Sequence, residues 1–157
     1  MKYQELISGI KEQYIVSNII NDVKLGQKLD IWECLIDFYG NNWIRISTKG
    51  DLTEDFINFY QDKVEWDIIS WSQRLSEDFI RYNADRLNWF YLSRNQKLSE
   101  NLIRDFKDRV NWCQISVYQR FSEDFILEFR NRINVRSILK YHNHLSKDFK
   151  KYLLSLR

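Results

Sequence analysis

The sequence predicts an all-α protein, an α-solenoid of stacked short helix pairs. Three observations predict it. A 23-residue unit recurs along the chain. Each unit opens on a residue that caps helices, and its apolar residues follow helical spacing. Proline is absent, so no strong helix breaker interrupts the pattern. Together these describe one α-helical repeat domain over residues 1–157.

Four regular units fill residues 52–144 and begin at Leu52, Leu75, Leu98 and Phe121; a half unit, residues 145–157, begins at Leu145. The steps between these starts are 23, 23, 23 and 24 residues. The first opens Leu52-Thr53-Glu54-Asp55-Phe56-Ile57, the second Leu75-Ser76-Glu77-Asp78-Phe79-Ile80. Self-similarity at a fixed period marks an array in which each unit buries its apolar face only against its neighbours.

Residues 1–51 read as diverged N-terminal capping repeats. Trp43, Ile46 and Ser47 stand 23 residues before Trp66, Ile69 and Ser70. One step further back, Ile20, Val23 and Gln27 keep part of the pattern ahead of Lys28 and Leu29. The start, Met1-Lys2-Tyr3-Gln4-Glu5, has no long apolar core, so no signal peptide is expected. No apolar run is long enough to predict a transmembrane helix.

Within a regular unit, Ser or Thr after the leading residue is a good N-cap, and Glu and Asp follow where the helix dipole favours negative charge. Leu102, Ile103, Phe106 and Val110 have a 3–4 spacing, repeated by Phe125, Ile126, Phe129 and Ile133. This predicts a first helix of about ten residues, held by stacking because it is marginal alone. Arg109 and Arg132 then suit its C-terminal end.

Asn88, Asn111 and Asn134, with Glu65 in the first copy, are placed to cap a second helix of about seven residues. On it Trp112, Ile115, Ser116 and Gln119 form one inward stripe, with Val135 replacing Trp in the fourth unit. The small Ser lets a neighbouring backbone approach, and its hydroxyl is placed to bond a carbonyl one turn earlier. The half unit closes on Leu153, Leu154 and Leu156 without a polar cap, an apolar end that a second copy of the chain is expected to cover.

The phrase Leu-Ser-Glu-Asp-Phe-Ile at residues 75–80, followed by Asn88-Trp89 and by Ile-Ser-x-x-Gln at 115–119, resembles a short repeat of uncharacterised proteins of large DNA viruses and phages. The resemblance covers residues 52–149. It implies a viral or phage origin and a helical repeat architecture, and no chemistry. The Lys-, Asn-, Ile- and Tyr-rich composition also looks like that of an AT-rich genome.

The residues do not assemble a catalytic constellation. Gly9, Gly26, Gly40 and Gly50 are scattered, whereas phosphate loops need clustered glycines. His142 and His144, with Asn143 inserted between them, replace the Gln and the basic residue of the repeat, and they read as loop residues rather than metal ligands. Cys34 and Cys113 lack CxxC spacing, so reduced thiols and a cytoplasmic setting (the host cytoplasm for a viral protein) are expected. Cys34 reads as a small core residue. Cys113 stands where other copies carry Asp67, Phe90 and Arg136, a variable surface position. Glu54-Asp55, Glu77-Asp78 and Glu123-Asp124 recur unit after unit, as helix-start acids would and a catalytic pair would not. Asp30, Glu33 and Asp37 read as solvated surface. An enzyme, a cofactor and a metal are therefore not expected.

A noncatalytic protein-binding module is the expected function, with a viral or phage factor that engages or inhibits a host protein as its concrete form. The inward stripe of the second helix recurs, but its opposite face varies. Ile68 and Trp71, Tyr91 and Arg94, Val117 and Tyr118, and Lys140 and Tyr141 occupy that face. A fixed scaffold with variable, aromatic-rich face residues is how repeat proteins present recognition surfaces. Lys63, Arg86, Arg109 and Arg132 form a basic column, as do Arg74, Lys97 and Arg120, and such columns are the alternative, a nucleic-acid surface. A structural role for the first column, beside Asp62, Asp85 and Asp108, is favoured. The net charge of +2, from 24 basic and 22 acidic residues, gives no global field toward nucleic acid or membrane.

Overall fold

A computed structural model describes residues 25–155, with side chains from residue 31 onward. Met1 to Glu5, Gly9, Ile20, Val23 and Leu156 lie outside the described residues, as do the side chains of Gly26, Gln27, Lys28, Leu29 and Asp30. Among the described residues there are eleven helices and no strand. The described residues fall into two compact units, divided between Leu87 and Asn88.

In the first unit the helices are α1 (Leu25–Phe38), α2 (Trp43–Ser47), α3 (Glu54–Phe59), α4 (Trp66–Ser72) and α5 (Glu77–Tyr82). The second holds α6 (Trp89–Asn95), α7 (Glu100–Asp105), α8 (Trp112–Tyr118), α9 (Glu123–Glu128), α10 (Val135–Tyr141) and α11 (Lys147–Ser155). Within the first, α2 packs on α4; within the second, α8 packs on both α6 and α10.

Cap chemistry sets the helix starts. The side chains of Thr53, Ser76, Ser99 and Ser122 accept from the backbone N–H three residues on, starting α3, α5, α7 and α9. Asn88, Asn111 and Asn134 do the same for α6, α8 and α10. Asn42 does it for α2, which carries Trp43, Ile46 and Ser47. Glu65 makes no side-chain cap bond to α4.

The first helices are shorter than the apolar spacing implies. α7 stops at Asp105 and α9 at Glu128, six residues each, with Phe106 and Phe129 as their C-caps. Val110 and Ile133 are buried, but from the turn that follows. There the N–H groups of Arg109 and Val110 donate to the Phe106 carbonyl at 2.8 and 3.0 Å. The next N-cap forces the stop: Asn111 needs extended backbone, φ −84° and ψ 101°. A helix running through to Val110 would leave no room to reverse direction. Arg109 and Arg132 therefore lie beyond the helix ends instead of at them.

Successive copies are joined by polar bonds as well as by apolar packing. Ser70, Ser93 and Ser116 are fully buried, and each hydroxyl donates to the Trp carbonyl four residues back, at 2.7, 2.6 and 2.6 Å. The Ser93 and Ser116 oxygens also accept from the N–H groups of Asn111 and Asn134 in the next copy, both at 2.9 Å. Ser47 accepts likewise from Glu65 at 2.9 Å. The Gln119 amide donates to the Ser93 and Gln96 carbonyls, at 3.0 and 2.6 Å, and its oxygen accepts from the Leu98 N–H at 3.1 Å. Gln73 repeats this against Ser47, Lys49 and Leu52.

At the N-terminal side, α1 is longer than any repeat helix and carries Trp32, 2% exposed. Its ring meets Phe56 edge-on at 5.6 Å and lies 6.1 Å from Tyr60. α1 ends in a left-handed pair, Gly40 at φ +60° and Asn41 at φ 58°, with the Asn41 N–H donating to the Ile36 carbonyl at 2.9 Å. On α11, Phe149 and Leu153 are buried while Tyr152 and Leu154 are about half exposed.

Candidate protein-binding groove

The basic column leans on the Trp column. The cationic ends of Lys63, Arg86, Arg109 and Arg132 lie over the rings of Trp43, Trp66, Trp89 and Trp112, at 5.4–6.0 Å from the centroids. Arg132 also pairs with Asp108 at 2.7 Å and donates to the Lys107 carbonyl. Arg86 pairs with Asp62 at 3.7 Å. The inward stripe is correspondingly uneven. Trp66 and Trp112 are half-buried, each indole N–H donating to a carbonyl in the preceding turn, Gln61 or Lys107, at 2.9 Å. The cation covers the ring face that packing leaves open.

On the variable face, Trp71 is 55% exposed and Ile68 is half-buried on α4 of the first unit. In the second unit, Tyr118 on α8 and Tyr141 on α10 are 51% and 50% exposed. The Arg94 guanidinium sits 5.4 Å from the Tyr118 centroid, and the Lys140 ammonium 4.9 Å from that of Tyr141. Tyr91 is half-buried, packing edge-on against Phe90 at 5.6 Å.

The C-terminal ends of α8 and α10 frame an open groove of about 330 Å³. Val117, Tyr118, Gln119 and Arg120 line one side; Tyr141, His142, Asn143 and His144 line the other. Of the residues expected from sequence, the groove gathers Val117, Tyr118 and Tyr141. Arg94, Lys140 and Tyr91 do not line it; Arg94 and Lys140 lie over the rings of Tyr118 and Tyr141, which do. Gln119, Arg120, His142, Asn143 and His144 are the additions. One sequence signal bears on them: the repeat breaks here, at the only 24-residue step.

His142 takes the place of the repeat Gln. It is 3% exposed, and its Nε2 lies 3.0 Å from the Ser116 carbonyl. A carbonyl can only accept, so the proton sits on Nε2. Nδ1 is then a buried acceptor with no partner among the described residues, where the Gln oxygen of other copies has one. His144 Nε2 donates likewise to the Phe121 carbonyl at 3.0 Å. Burial pushes the His142 imidazole below its ordinary value, against the pull of the Ser116 bond, and the cationic neighbours His144, Lys150 and Arg120 push the same way as burial.

Other candidates behave as surface or packing residues. Cys113 is exposed, and Cys34 is half-buried on α1 rather than in the core. Glu33 and Asp37 are exposed on α1. Glu54 and Glu100 use their carboxylates on the next copy, accepting from the backbone N–H of Ser76 and Ser122 at 2.6 Å. Among the described residues no His, Cys, Asp and Glu group is placed to hold a metal ion, and no helix is long and apolar enough to cross a membrane. Comparison with protein families, curated proteins and solved structures returns no match.

Proposed function

We propose that the chain is a noncatalytic protein-binding module, an α-solenoid of stacked helix pairs whose variable second-helix face recognises its partner. One observation carries the reading. Tyr118 and Tyr141, half exposed, flank a groove of about 330 Å³ on a framework whose buried Ile, Ser and Gln positions recur. Aromatic side chains held at half exposure by a rigid scaffold offer large contact area at small entropy cost. The resemblance of the repeat to viral and phage proteins supports a host protein as the partner and the host cytoplasm as the setting.

Affinity capture from a host lysate with the wild type and with a Tyr118→Ala/Tyr141→Ala chain tests this. Both tyrosines are exposed, so the variant keeps its fold. Partner recovery is expected to drop; equal recovery by both chains removes this face from the reading. The nucleic-acid alternative along Lys63, Arg86, Arg109 and Arg132 is the weaker one, because all four cations already lie on tryptophan rings. It requires a gel shift at low salt that fades steeply as salt rises.

A further inference from the structure

We infer that the groove between the ends of α8 and α10 takes an acidic peptide segment, its carboxylates meeting Arg120 and the cations over the two tyrosines. This deepens the protein-binding reading and rests on it. The argument begins with charge. None of the groove-lining residues is acidic, and Arg120 is exposed at the rim. Both tyrosine rings carry a cation, Arg94 over Tyr118 and Lys140 over Tyr141. The charged groups felt by the buried His142 are His144, Lys150 and Arg120, all basic.

Helix C-termini ordinarily favour cations, through their free carbonyls. Here one such carbonyl, that of Ser116 in the last turn of α8, is occupied, and the Phe121 carbonyl before α9 is occupied as well. Ser116 accepts from His142 and Phe121 from His144. A guanidinium has five N–H donors and an ammonium three, so Arg94 and Lys140 can each meet an anion while they lie over their rings.

The geometry favours a peptide over a nucleic-acid strand. A stacking platform needs open ring faces, and here each of the two exposed rings has a cation on one face. The groove has the volume of a pocket for a few side chains rather than a channel that follows a backbone. Chain net charge of only +2 gives no long-range pull on a polyanion. Tyr118 and Tyr141 hydroxyls and the Asn143 amide supply the neutral polar contacts that an extended peptide backbone needs.

Selection of a random-peptide display library on the full-length chain tests the assignment. Recovered peptides are expected to be enriched in Asp and Glu over the input, and to bind more weakly as salt rises. Arg120→Glu should weaken the best peptide about tenfold or more, and Arg120→Lys should retain most of the affinity. Thermal melts of both variants, which alter an exposed side chain, check that the fold is kept. Three outcomes overturn the inference: no enriched peptide, enriched peptides without acidic bias, or a labelled oligothymidine that binds and is lost on Arg120→Glu. The two readings fail separately. Peptides that need Tyr118 and Tyr141 but carry no acidic bias sink only the acidic assignment. Peptides indifferent to Tyr118→Ala/Tyr141→Ala sink the groove itself.

Discussion

At the scale of single residues, the buried serines join successive copies. The Ser116 hydroxyl donates within α8 and accepts from Asn134 in the next copy. Ser116→Ala removes the acceptor of that part-buried N–H, and about 1 kcal/mol of stability should be lost. Ser137→Ala, on the outer side of α10, is the control and should fall within about 0.5 kcal/mol of wild type. Urea denaturation of the two variants decides it. Gln119 makes three bonds at one inter-copy junction, so Gln119→Ala should cost on the order of 3 kcal/mol by the same measurement.

His142 turns the same position into a pH-sensitive one. Its folded value lies below the ordinary imidazole value of about 6.5. The unfolded chain therefore binds the proton first as pH falls, and the contribution of this group to stability is full above about pH 6.5 and is lost progressively below it. Melting temperature should hold between about pH 8 and 7 and decline from about pH 6.5 downward, before the carboxylates titrate. His142→Gln restores the residue of the other copies and should flatten that decline. An unchanged slope in the variant would assign the effect to another group.

At the scale of elements, each helix start is a local contest that the cap decides. α8 begins where Asn111 accepts from Gln114, whereas α4 begins at Glu65 with no side-chain acceptor in place. Glu65→Asn should stabilise the chain by about 0.5–1 kcal/mol, and Asn111→Ala should cost about 1 kcal/mol. Opposite signs in chemical denaturation are the expected result, and a destabilising Glu65→Asn would show that Glu65 has another role. The caps were legible in the sequence because they act over three residues. The length of the first helix was not. Leu102, Ile103, Phe106 and Val110 satisfy a continuous helix on spacing alone, yet the Asn111 cap demands extended backbone one residue later. The turn between them keeps Val110 buried while ending the helix at Asp105.

At the scale of the whole molecule, the apolar surface left at the C-terminal side bears on assembly. Leu153, expected in an exposed end, is buried on α11, and among the described residues Tyr152 and Leu154 remain. Light scattering at high concentration tests the self-association expected from the sequence, and the mass of one 19.3 kDa chain would count against it. A dimer that Leu154→Glu dissociates would instead support the self-association that the sequence suggests.

Period, caps and the small buried Ser were determined by the sequence alone, because each acts within a turn or repeats in register. Tyr118 and Tyr141 could be picked out as variable and aromatic. Arg120, Asn143 and His144 could not be joined to them, since the groove exists only when two helix ends lie side by side. The tertiary structure also decided what the recurring polar residues do. Gln119 reaches back to carbonyls 23 and 26 residues away, and Glu100 forward to an N–H 22 residues on. The basic column lies over tryptophans 20 residues before it in sequence. A buried amide or an exposed guanidinium has no partner fixed by its own neighbours in sequence. Its partner is whichever donor, acceptor or ring the packing of successive copies brings within reach.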